Sequence, residues 1–283
     1  MADAFRVCII VPPGYAHAGC FVELAMSLKC ALIDLGYDCD LKLNELCPDR
    51  ITIVLGYHLL TWDPVLTSYR YIPWQLEQLC DRGTGLDDNL RLLLRGGCAV
   101  WDYSEKNIAF LAGHGIGARY LPAGYHPSLE RIEAAGTQDI DVLFYGSPGG
   151  RRRPLIETLQ GRRDLNTRFL FGVYGRERDE LIARSKMVLN MHYYPAALFE
   201  SVRVSYLLAN GSFVLTEESA DCPYPRVPLV TAALDAFENR IEHYLAESDE
   251  RDAVRIGCRD AFRTYYPLAP LVAPLIAGGI RRF

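Results

Sequence analysis

The sequence has no C-x-x-C pair, no uncharged stretch long enough to cross a bilayer and no excess of positive charge. Its nine cysteines stand at 8, 20, 30, 39, 47, 80, 98, 222 and 258. That is an odd number without metal-ligand spacing, so neither a disulfide framework nor a zinc ribbon is indicated, and most are expected as buried apolar side chains. The longest uncharged tail, Pro267 to Ile280, is broken by Pro267, Pro270 and Pro274 and falls short of the roughly 20 residues a spanning helix needs, so no integral membrane segment is expected. A formal net charge of -5 gives no global attraction to nucleic acid or anionic lipid. The opening apolar run Val7 to Val11, closed by Pro12-Pro13, is too short for a signal-peptide core, and the expected location is the cytoplasm. There is no G-x-x-x-x-G-K-[ST] and no G-x-S-x-G, which weighs against a P-loop enzyme and an ordinary α/β hydrolase. No internal repeat or low-complexity segment is visible.

What is present is material for two cores. Half of the 283 residues are hydrophobic, and the length suits two domains better than one. Short β-rich runs alternate with helical stretches: Arg6 to Val11, a helix from about Cys20 to Leu35 stopped at Gly36, then strands at Asp40 to Leu43, Ile51 to Leu55 and Ala99 to Trp101. Helical material is expected around Trp74 to Cys80 and Asp87 to Leu94. Ser104 reads as the N-cap of a helix over Glu105 to Ala112, followed by a strand Arg119 to Leu121. A second series begins at Asp141 to Tyr145 and runs through helix Arg153 to Gln160, strand Thr167 to Phe171, helix Arg178 to Lys186, strand Met187 to Met191, helix Glu200 to Ala209 and strand Ser212 to Thr216. The expected organisation is α/β, with two doubly wound domains at 1–132 and 133–266 and a tail, 267–283, packing back on the first.

Three stretches resemble the GT-B class of nucleotide-sugar-dependent glycosyltransferases, in particular the group 1 and spore-maturation-type proteins. Asp102-Tyr103-Ser104-Glu105 through Leu121-Pro122-Ala123-Gly124-Tyr125 is similar to the end of that class's first domain. Ile182 to Asn190 is similar to the helix and strand leading to the donor site. Phe199-Glu200 through Leu208-Ala209-Asn210-Gly211-Ser212-Phe213-Val214-Leu215-Thr216 resembles its "E-A-hydrophobic-A-x-G-x-P-V" segment. The resemblance implies two Rossmann-like domains facing a cleft, the second holding a sugar nucleotide and the first an acceptor. Group 1 members carry a further Glu eight positions earlier, where this chain has His192, and glycines between the two, where it has Tyr193-Tyr194-Pro195-Ala196-Ala197-Leu198.

On that frame Glu200, at a helix start, is the candidate ligand of the ribose hydroxyls, the rival reading being a charge that merely favours the helix dipole. His192, at a strand end, is a candidate for phosphate or a sugar hydroxyl, or equally a structural histidine. The loop Gly146-Ser147-Pro148-Gly149-Gly150 leads into Arg151-Arg152-Arg153, of which Arg152 and then Arg151 are expected to neutralise a leaving diphosphate in place of a metal. His17, in the turn after the first strand, is the candidate base at the acceptor hydroxyl. His58 and His126 read as rim residues. Asp38-Cys39-Asp40 and Asp139-Ile140-Asp141 match D-x-D but precede strands, so no metal site is assigned. Gly113, Gly115 and Gly117 end a helix and form no dinucleotide loop.

The expected activity is transfer of a sugar from a UDP- or GDP-sugar to a hydroxyl of a glycan, protein or small molecule, with no further cofactor and no nucleic acid partner. The alternatives are a non-catalytic nucleotide or nucleotide-sugar binding protein, and a GT-B-like epimerase or phosphorylase.

Overall fold

The computed structural model describes residues 4–80, 83–133, 135–278 and 280. The polypeptide divides into two compact units, Met1–Ser128 together with Pro267–Phe283, and Leu129–Tyr266.

The first unit contains β1 (Phe5–Ile9), α1 (Val22–Asp34), β2 (Cys39–Leu43), β3 (Ile51–Leu55), β4 (Tyr71–Gln75), α2 (Asp88–Gly96), β5 (Trp101–Asp102), α3 (Glu105–Gly113) and β6 (Arg119–Tyr120). All strand pairs are parallel, in the order β2-β1-β3-β4-β5-β6. Every residue of β1, β3 and β4 is buried, as befits central strands covered on both faces. Leu24, Ala25, Leu28, Ala31 and Leu32 recur at helical spacing and carry α1 onto the sheet. Gly36, at φ 86, ends that helix in the left-handed region, where its amide donates to Ile33 O and that of Tyr37 to Leu32 O. Asp87 caps α2 through Leu90 N at 2.7 Å, and Ser104 caps α3 through Asn107 N at 3.3 Å.

One strand of this unit departs from the sequence reading. Tyr71–Gln75 is a strand, β4, where helix is expected around Trp74 to Cys80. The run Tyr71-Ile72-Pro73-Trp74 is continuously apolar and lies between two other strands, and such a buried strand carries no alternation by which to recognise it. The run Ala16–Asp34 is long and apolar enough by composition to cross a membrane, at 19 residues and mean hydropathy 1.4. It comprises a 3-10 turn, Ala16–Phe21, and α1, and half of its apolar window is buried inside the structure.

The second unit contains β7 (Ile140–Tyr145), α4 (Arg153–Gly161), β8 (Thr167–Leu170), α5 (Gly175–Ala183), β9 (Ser185–Asn190), α6 (Ser201–Ala209), β10 (Val214–Glu217), β11 (Val230–Ala232), α7 (Phe237–Ala246) and α8 (Ser248–Tyr265). Its parallel sheet runs β11-β10-β9-β7-β8. The helix expected over Arg178 to Lys186 is α5, which stops at Ala183 because Ser185 and Met187 already pair β9 with β7. Phe144, Met187, Leu189, Leu215, Phe213 and Phe237 are at the centre of its core.

The chain then returns to the first unit as α9 (Leu268–Ala277). Leu268 N donates to Tyr125 O at 2.7 Å, and Arg119 Nη1 to Leu275 O at 3.0 Å. Residues 279 and 281–283 of the tail lie outside the described residues.

A buried polar lattice fixes the loop after β4. Tyr57 Oη donates to Gln75 Oε1 at 3.0 Å, and Gln75 Nε2 to Glu77 O at 2.5 Å. Asn107, on α3, donates to the same carbonyl at 2.7 Å and accepts from Leu79 N at 3.0 Å. Gln75 and Asn107 are fully buried, so water cannot replace either. Asn107→Ala strands buried backbone groups, and we expect it to lower stability by about 2–4 kcal/mol in urea unfolding followed by tryptophan fluorescence. A loss below about 1 kcal/mol would show that the loop is not held this way.

Candidate functional site

Both sheets have a point at which successive connections leave in opposite directions. In the second unit it lies between β7 and β9, since β8 flanks β7 on one side and β9 and β10 extend the sheet on the other. Loops at the carboxyl ends of such strands part from one another, and open α/β sheets take ligands there. Here those loops are Gly146–Gly150, after β7, and Met191–Glu200, after β9.

Glu200 is the N-cap residue of α6, and its carboxylate ties the two loops together. Arg152 Nη2 donates to Glu200 Oε1 at 2.6 Å, and Arg203 Nη1 donates to Glu200 Oε2. Arg203 Nη1 also reaches Asn190 Oδ1 at 2.9 Å, whose amide nitrogen donates to Thr216 Oγ1 at 2.8 Å. The Arg152 side chain is 3% exposed, and its Nε donates to Met191 O at 2.9 Å and Nη1 to Ser147 O at 3.1 Å. Burial disfavours its charge, and the neighbouring Glu200 carboxylate offsets part of that cost. Both guanidiniums lie over the Phe144 ring, at 5.3 and 5.5 Å from its centroid. A carboxylate has about four acceptor positions, so two guanidiniums leave Glu200, with 13% of its side chain exposed, able to accept from a ligand.

The rest of the loop set is tightly fitted. Gly146 has φ 139, and a Cβ there would stand 2.7 Å from Arg203 Nη2. Arg151, one-third exposed, pairs with Glu217 Oε1 at 2.5 Å. The other oxygen of Glu217 accepts from His192 N at 2.9 Å. His192 is fully buried; its Nε2 donates to Glu218 O at 3.1 Å, which leaves Nδ1 as a buried acceptor with no partner. Ala197 adopts φ 49, a left-handed conformation that a glycine takes without strain, within the segment where the resembling family has glycines. A cavity of about 330 Å³ adjoins the ion cluster, with Phe144, Gly146, Arg153, Gln160, Phe169 and Phe171 among its walls.

Of the residues singled out in the sequence, Gly146, Ser147, Arg151, Arg152, His192 and Glu200 are thus gathered at one switch point. Arg203 and Glu217 were missed. The i, i+3 spacing of Glu200 and Arg203 on α6 was the available signal for the first. His17 belongs to the first unit, in the 3-10 turn after β1, edge-on to Tyr15 at 5.4 Å. His126 is held by Asp34 Oδ2 at 3.0 Å and Ser128 at 2.8 Å. The acids of both D-x-D matches are ion-paired: Asp38 with Arg50, Asp40 with Arg6, Asp139 with Arg184 and Asp141 with Lys186.

The architecture has solved counterparts. HepE of Anabaena, in complex with UDP and glucose, superposes with a TM-score of 0.62 at 10% identity, covering 96% of this chain and 98% of that one. The β-glucosyltransferase of phage T4 gives 0.58 at 12% identity over 96% and 98%. AviGT4, a glycosyltransferase of avilamycin A biosynthesis, gives 0.55 at 16% identity over 97% and 98%. The chain has the GT-B fold. No known family model matches it. The uncharacterized protein L137 of Acanthamoeba polyphaga mimivirus is 29% identical over 137 residues, which is 47% of this chain and 18% of that protein's length.

Removing the Glu200 charge deprives a buried guanidinium of its counterion. We expect Glu200→Gln to destabilise the second unit by roughly 2–4 kcal/mol. Gly146→Ala should lower the melting temperature as well, by forcing Arg203 off its carboxylate. Differential scanning calorimetry of both variants checks this, and an unchanged melting temperature for both would contradict the bridging role.

Proposed function

We propose that the protein is a glycosyltransferase that moves a sugar from a nucleoside-diphosphate donor to a hydroxyl acceptor, with the donor held by the second unit. The observation that carries this reading is the Arg152–Glu200–Arg203 cluster at the switch point of a GT-B fold, beside the N-terminus of α6. HepE, matched over nearly its whole length, has been solved with UDP, which supports a uridine nucleotide as the first candidate, with GDP as the other.

On this reading the free acceptor positions of Glu200 take the ribose hydroxyls, and the N-terminal end of α6 and the amide of Ser147 face the diphosphate. Arg151, which is exposed and lies at the switch point, carries the charge that stabilises the departing diphosphate, while buried Arg152 positions Glu200. No metal enters this scheme. His192 Nδ1, a bare acceptor, suits a sugar hydroxyl better than a phosphate oxygen. The adjoining cavity, with the rings of Phe144, Phe169 and Phe171 and the amide of Gln160, suits a base. The acceptor side is assigned to the carboxyl ends of β1 and β3 in the first unit, where His17 lies.

The test is thermal unfolding with UDP and GDP in the presence of EDTA. One of the two nucleotides raises the melting temperature, by an amount that grows with its concentration. No stabilisation by either, or stabilisation that EDTA abolishes, contradicts the metal-independent donor site.

A further inference from the structure

The first unit has a switch point of its own, between β1 and β3, because the sheet runs β2-β1-β3-β4. Three loops bring chemistry to it. Tyr15 and His17 follow β1, His58 follows β3 on the 3-10 turn Tyr57–Leu59, and Glu77 follows β4. His58 Nε2 stands 3.6 Å from Glu77 Oε1, within ion-pair range but too far for a hydrogen bond. Both side chains are partly exposed, at 23% and 30%.

The pair is mounted on a rigid support. Gly56, at φ 73, turns the chain out of β3, and a Cβ there would come within 3.2 Å of the Phe21 ring. The imidazole packs edge-on against Phe21 and Tyr57. Glu77 is held through its backbone, its carbonyl accepting from Gln75 and Asn107 and its amide donating to Gln75 Oε1 at 3.2 Å. A carboxylate presented to an imidazole by a clamped loop is the arrangement that orients a histidine base and stabilises the imidazolium it becomes.

We infer that His58 is the general base of this protein, with Glu77 as its positioning partner, for a hydroxyl-bearing acceptor bound at the β1–β3 switch point. This rests on the transferase reading. The neutral ring holds its proton on Nε2, towards Glu77, and offers Nδ1. In the step, the acceptor O–H proton passes to Nδ1, and the acceptor oxygen forms a bond to the anomeric carbon of the donor sugar. The bond from that carbon to the phosphate oxygen breaks, and the nucleoside diphosphate leaves with the electron pair. Burial lowers the affinity of His58 for a proton below that of an ordinary histidine, and Glu77, the charged group facing it, works in the opposite sense. Burial therefore favours the neutral ring that a base requires. Tyr15, about a third exposed in the neighbouring turn, supplies an aromatic wall suited to a sugar ring.

The test measures nucleotide release from UDP-glucose, UDP-galactose, UDP-N-acetylglucosamine and GDP-mannose with glycerol as the hydroxyl probe. Nucleotide affinity and melting temperature are followed in parallel. His58→Gln should lower kcat by about 100-fold or more while nucleotide affinity stays at the wild-type value. Glu77→Gln should lower kcat by about tenfold and move the acid limb of the pH profile to lower pH, because the group that favours the protonated ring is gone. NMR titration of the His58 ring gives a reading independent of turnover, with a wild-type pKa below 6.5 that falls further in Glu77→Gln. Turnover by His58→Gln within about threefold of wild type, or a ring pKa unmoved by Glu77→Gln, overturns the assignment and leaves the transferase reading standing. A wild-type protein that binds nucleotide but turns over none of the four donors overturns both.

Discussion

The carboxylate of Glu200 is the constraint on which the second unit depends. Arg152 is buried, and a guanidinium in that position is tolerable only with an anion and acceptors in reach. Glu200 supplies the anion, and the carbonyls of Met191 and Ser147 supply the acceptors. Because those partners come from the loops after β7 and β9, satisfying one charge fixes both loops. Arg203 extends the tie through Asn190 and Thr216 to β10. The cluster therefore turns a local electrostatic demand into the geometry of the whole carboxyl edge of the sheet.

The first unit reaches a similar end with two buried amides, one of which, Asn107, also donates to the buried Asp102 carboxylate at 3.2 Å. Gln75 and Asn107 hold the loop after β4 by hydrogen bonds that water cannot substitute, and the Glu77 side chain emerges from that loop. None of these bonds involves the His58 ring, so His58 can change charge without loosening the mounting of Glu77. On the proposed reading of the second unit, the ligand-facing charge and the structural charge are one residue. Function and stability would then be coupled at Glu200, and a substitution there would address both.

Much of this was legible in the sequence, and the failures have physical causes. Helix termini were readable because capping is local: Ser104 and Asp87 sit where their side chains meet amides three residues on. The gathering of Gly146, Arg152 and Glu200 followed from the family resemblance, with the arginine loop read as following a strand and Glu200 as starting a helix. What could not be read was whether Arg152 faced solvent or the interior, since a run of three arginines has no periodicity to decide it. His192 was placed correctly at a strand end, yet its burial depends on the Glu217–Glu218 loop, 25 residues distant in the chain. Strand β4 was missed because a fully buried strand has no polar face. His58 and Glu77 are 19 positions apart on separate loops, so only the parallel order of β3 and β4 reveals the pairing.

The central claim is that the β7–β9 switch point binds a nucleoside diphosphate through its own backbone and side chains. Amide chemical-shift mapping of the labelled protein, titrated with UDP and then GDP without added metal, tests it most directly. The account predicts saturable shifts concentrated in Gly146–Arg151 and at the start of α6, Ser201–Arg203. Saturable binding with its shifts elsewhere, or no shifts with either nucleotide, would contradict it.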